Sequence, residues 1–148
     1  MDPAGLPPIG MTGDAAAKSY MRKYLFLQLV DREKARAEAQ ADDDEKERTH
    51  VAAWEHAVAE QARVDAETRR LCEDEGCTLD QFTTHTQQAK AYVTQMWDHV
   101  ALLGRAAADA AEALRVANLG VSETEGKLRI FDDAVRQGVP WDMLDFTV

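Results

Sequence analysis

Glycine and proline are scarce in this chain of 148 residues, at eight and four, and neither occurs between Asp14 and Glu75. That stretch has no residue suited to a tight turn, so it predicts one very long helix or two helices with a break. Cysteine is limited to Cys72 and Cys77 in a C-x4-C spacing. Two cysteines at that spacing make neither a redox C-x-x-C nor a four-ligand zinc site, and they point to an intracellular, reducing compartment. Serine occurs only at Ser19 and Ser122. With no positioned nucleophile and no glycine-rich phosphate loop after a strand, the chain is read as a non-enzyme without cofactor, metal or small-molecule substrate.

Positive charge is also in short supply, with 17 Lys and Arg against 27 Asp and Glu and a net charge of -10. A surface of that sign repels phosphate backbones and anionic headgroups, which argues against nucleic acid and membrane surfaces as partners. The longest strongly apolar run, residues 24–30, contains Gln28 and is too short to cross a bilayer. No secretion signal is visible near the start.

What the chain does have is alanine and periodicity. From Leu79 to Ala117 the residues Leu79, Phe82, Ala89, Val93, Met96, Val100, Leu103, Ala107, Ala110, Leu114 and Ala117 follow alternating spacings of three and four, interrupted only by Thr86. A heptad seam of that length must lie against another helix. The expected fold class is all-α: a long antiparallel helical hairpin, coiled-coil-like, with a short third C-terminal helix that either extends the pair or folds back into a three-helix bundle.

The segment boundaries follow from local signals. Residues 1–13 form a Pro/Gly-rich tail. Asp14 is placed to cap a helix over 14–75 that would reach roughly 90 Å at 1.5 Å per residue, with a weak point at Asp42, Asp43 and Asp44. Gly76 suits a left-handed helix end and Thr78 a cap, giving a tight turn and a second helix over 78–118. Gly120 reads as its stop, Ser122 and Glu125 as a capping box for a third helix over 122–137, and Gly138 with Pro140 as the terminator before an acidic, aromatic tail over 138–148. Reflection about Gly76 sets position n opposite about 152 minus n. That puts Trp54 near Met96 and Trp97, the alanines of 35–41 near 107–117, and the aromatic head near Leu128 and Phe131.

Three groups of side chains are candidates for partner binding. Tyr92 and Trp97 flank the seam and widen its stripe beyond one helix. Tyr20, Tyr24 and Phe26 stand beside Lys18, Arg22 and Lys23. Trp141, Leu144 and Phe146 alternate with acids after the last helix stop; Trp141 and Leu144 have the W-x-x-L form of autophagy-receptor ligands, and a fold-back onto the helices is the plainer alternative. Glu47 and His50 form an isolated E-x-x-H that reads as a solvated helix face, because a di-iron site needs a second such motif. The expected function is a structural or adaptor subunit of an intracellular assembly, acting through a protein partner or as a homo-oligomer, most simply a dimer. Cytoskeletal, flagellar, chromosome-associated and trafficking complexes all use such parts. A small acidic chaperone or secretion-associated protein shielding a partner's apolar segment is the alternative.

Overall fold

The computed structural model describes residues 13–144, and they are helical almost throughout. Helix α1 spans Gly13–Glu73 and helix α2 spans Leu79–Arg136, followed by a 3-10 turn at Trp141–Met143. The chain separates into two compact units: one combines residues up to Gln40 with those from Glu112 onward, and the other is Ala41–Ala111.

Helix α1 runs unbroken through Asp42, Asp43 and Asp44. Lys46 reaches back one turn to Asp42 at 3.3 Å, relieving part of the like-charge repulsion that makes this triplet a weak helix segment. In its first turn Asp14 accepts the backbone N–H of Trp141 at 2.6 Å and pairs with Lys18 at 3.0 Å. Both contacts hold the Asp14 carboxyl below the usual carboxylate range, the Trp141 N–H being the larger cause. Its carboxylate therefore serves the C-terminal 3-10 turn.

The link between the helices is built by side-chain capping. Thr78 Oγ1 accepts the Gln81 N–H at 3.1 Å while Gln81 Oε1 accepts the Thr78 N–H at 3.0 Å, a reciprocal capping box that starts α2. Gly76 is not left-handed as its position suggests. Its N–H donates to Asp74 Oδ1 at 2.9 Å, so an aspartate side chain makes the turn that a positive φ was expected to make.

The expected stop at Gly120 is absent, and there is no separate third helix: α2 continues from Leu79 to Arg136. The reason lies in burial. Val121, Thr124 and Phe131 are all buried, and they continue the alternation of three and four beyond Ala117. Burying one valine contributes about 1.5–3 kcal/mol, more than the roughly 1 kcal/mol that an interior glycine costs. The Thr124 hydroxyl donates to the Gly120 carbonyl at 2.9 Å, and Ser122 and Glu125 lie exposed in mid-helix. The real terminus is at Gly138, where φ is 77°. The Gly138 N–H bonds Val135 O at 3.0 Å and the Val139 N–H bonds Ala134 O at 3.1 Å, the paired pattern of a Schellman end.

Each unit has its own interhelical contacts. In Ala41–Ala111, Thr68 meets His85, Gln61 meets Trp97 and His50 lies against Gly104. In the other unit, Arg32 lies against Gly120, and Arg22 holds Asp132 through two hydrogen bonds of 3.0 and 3.3 Å. Within each unit the contacting residue numbers fall on α1 as they rise on α2. The buried core among the described residues is thin: Leu25, Val121, Phe131 and Thr124 in the first unit, and Ala57, Val64, Val100, Ala107 and Ala110 in the second. Gly104 and Gly120 each leave a notch for a bulky polar side chain from α1, which allows close approach where that helix presents His50 and Arg32 instead of aliphatic groups.

Candidate interaction surfaces

Tyr92 and Trp97 both reach across to α1 in the Ala41–Ala111 unit. The Tyr92 hydroxyl donates to Glu60 Oε1 at 3.0 Å and the Trp97 indole N–H to Gln61 Oε1 at 3.1 Å. Trp97 is half-buried and Tyr92 is exposed. The Arg63 guanidinium and then the Tyr92 hydroxyl hold the Glu60 carboxyl below its ordinary range, so this end of the contact stays anionic and hydrogen-bonded at neutral pH. These aromatics therefore fasten one helix to the other and still show part of their faces.

In the other unit, Tyr20 and Tyr24 are half-buried and Phe26 is half-exposed. Two cations of the neighbouring basic cluster are engaged within the chain, Lys18 with Asp14 and Arg22 with Asp132. That weakens the case for an anionic ligand there. Trp141 and Leu144 are half-buried at the 3-10 turn, which Asp14 holds through the Trp141 N–H. Phe146 lies outside the described residues.

The stripe that periodicity did not single out is on α1. Reflection about Gly76 sets Trp54 at the level of Met96 and Trp97; its side chain is 51% exposed, and Val51 and Val58 lie exposed at three and four residues from it. The seam side of α1 is instead Ala53, Ala57 and Val64 with His50 and Lys46, one phase away. Leucine, valine and isoleucine also lie outward on α2: Leu102 in the Ala41–Ala111 unit, and Val116 and Ile130 in the other. Spacings of three and four among Val51, Trp54 and Val58 make one contiguous face on a helix, and a tryptophan in its middle is the residue type that most often anchors an association.

A groove of about 300 Å³ runs between the helices of the same unit, lined by Gln61, Val64, Asp65, Thr68, Thr86, Ala89, Lys90, Val93 and Thr94. It is open and holds no convergent set of catalytic groups. The Thr68 hydroxyl donates to the Val64 carbonyl at 3.0 Å and is hydrogen-bonded with His85 Nε2 at 2.9 Å. Glu47 is exposed while His50 is half-buried against Gly104, and no group of three or more metal-ligating side chains occurs among the described residues. Cys72 and Cys77 are free thiols that share a cavity of about 240 Å³ at the turn. No helix among the described residues is long and apolar enough to cross a membrane. The chain matches no known family model, no curated protein and no solved structure.

Proposed function

We propose that the chain is a non-enzymatic structural or adaptor subunit of an intracellular protein assembly, built as an antiparallel, coiled-coil-like helical hairpin that works through helix–helix association. The contact order within each unit supports the hairpin, since Thr68–His85, Gln61–Trp97 and His50–Gly104 in one, and Arg32–Gly120 and Arg22–Asp132 in the other, all run in opposite senses. The observation that carries the functional reading is the outward stripe Val51, Trp54 and Val58. A helix that spends its tryptophan on the solvent side while burying alanine toward its neighbour has an apolar face left for another chain. Two free thiols at the turn fit a reducing compartment.

The test is affinity purification of the full chain from its source cell beside Trp54→Glu, with helicity checked by circular dichroism. The expected result is a partner chain recovered at fixed stoichiometry with the native sequence and lost with the variant. A partner found only in exchange, never at fixed stoichiometry, assigns the shielding role instead. A fully helical protein that recovers nothing in either form overturns both.

A further inference from the structure

Helix α2 carries little charge in the Ala41–Ala111 unit. Between Leu79 and Ala111 the charged residues are Asp80, Lys90, Asp98, Arg105 and Asp109, whereas residues 41–73 of α1 carry ten acidic and five basic side chains. The outward stripe Gln87, Ala91, Thr94, Asp98 and Ala101 keeps spacings of three and four, and all five are exposed. Four of these, with Lys90 and Gln95, line a shallow open depression of about 460 Å³.

The two charges at this depression are arranged symmetrically. Lys90 lies four residues before Thr94 and Asp98 four residues after it. Neither has an ion-pair partner among the described residues. We infer that this face of α2 is the contact between two copies of the chain, which cross antiparallel about Thr94 so that Lys90 of each copy meets Asp98 of the other. A two-fold contact places the same patch on both sides and requires every charge to find its opposite across the axis. One cation and one anion equidistant from the centre satisfy that condition, and a partner of unrelated sequence would impose no such symmetry. A chain of net charge -10 repels its own copy over most of its surface, so a face whose one cation and one anion cancel is where two copies can approach. Alanine at 91 and 101 lets the helix backbones come close. This rests on the reading of the chain as a helix-association subunit and leaves the α1 stripe for a different chain.

The experiment is sedimentation equilibrium of the full chain at low salt, comparing the native sequence with Lys90→Glu, Asp98→Lys and the double reversal, and with Trp54→Glu as the control on the other face. The native chain is expected to dimerise, each single reversal to weaken the dimer at least about tenfold, and the double reversal to recover the native constant. Higher salt is expected to shrink the difference. Trp54→Glu is expected to leave the dimer unchanged. A native chain that stays monomeric at all concentrations, or single reversals without effect, overturns the inference. Loss of the dimer in Trp54→Glu alone moves the contact to α1 and overturns it equally. Partner capture through Trp54 by a monomeric chain would leave the proposed function standing.

Discussion

Gly104→Ala tests the pairing of the two helices at a single atom. In an exposed helix interior, replacing glycine by alanine stabilises by about 1 kcal/mol, because the unfolded chain loses backbone freedom and the helix gains a methyl group. Gly126 gives the reference, since a Cβ built there meets nothing within 4 Å. Gly126→Ala should therefore gain close to the full 1 kcal/mol, about 4 °C in Tm for a chain of this size. At Gly104 the added Cβ would lie 3.1 Å from His50 Nε2 and 3.5 Å from two ring carbons. A half-buried imidazole cannot move far without losing its own contacts, so the expected gain falls below half of that at Gly126 and can turn negative. Removing the ring should release it: in a His50→Ala background, Gly104→Ala is expected to recover the full 1 kcal/mol. The coupling, at least about 0.5 kcal/mol, is read from urea unfolding of the four proteins at one fixed concentration. Equal gains at Gly104 with and without His50 would refute the placement of these residues against each other.

Other outcomes follow from the same contacts. Phe131→Ala removes a side chain that is 1% exposed and is expected to cost about 3–5 kcal/mol, while its neighbour Ile130, 64% exposed, should lose less than about 0.5 kcal/mol on the same substitution; both are measured by urea unfolding. Thr78→Ala breaks the capping box at the start of α2 and is expected to cost about 1 kcal/mol, with faster amide exchange confined to residues near 78–82. The Asp14 carboxyl is depressed by the Trp141 N–H and by Lys18, so its contribution is complete above the ordinary carboxylate range and is lost as pH falls through its lowered value. In a Trp54→Phe, Trp97→Phe background, Trp141 fluorescence should change below about pH 4. Asp14→Asn should remove that acid transition, and an unaltered transition in the variant would contradict the contact.

Much of this architecture is readable from the residues, and the misreadings have physical causes. The seam from Leu79 to Ala117 is legible because alanine, valine and leucine keep one phase through it. The same phase continues through Val121, Thr124, Leu128 and Phe131, but Gly120 followed by Ser122 and Glu125 imitates a stop and a restart. Local capping signals are worth about 1 kcal/mol, and burial on the seam exceeds that. On α1 the most hydrophobic face and the least exposed face are different. Its conspicuous residues Val51, Trp54 and Val58 are exposed, because the less exposed phase is occupied by Lys46, His50, Ala53 and Ala57, of which His50 lies against the Gly104 notch. Hydrophobicity alone selects the wrong face of such a helix. The Thr78 cap is legible because its partner Gln81 lies within one turn, whereas the Asp14–Trp141 bond joins positions 127 apart and has no local signature.

The central claim is that the Val51, Trp54 and Val58 face of α1 meets another polypeptide. A photo-cross-linking amino acid placed at position 54, and in a parallel variant at position 66, in the full chain inside its source cell tests this most directly. The expected result is a covalent adduct with a second protein chain from position 54 and none from position 66. Folded variants that give no adduct from position 54, or equal adducts from both positions, would contradict it.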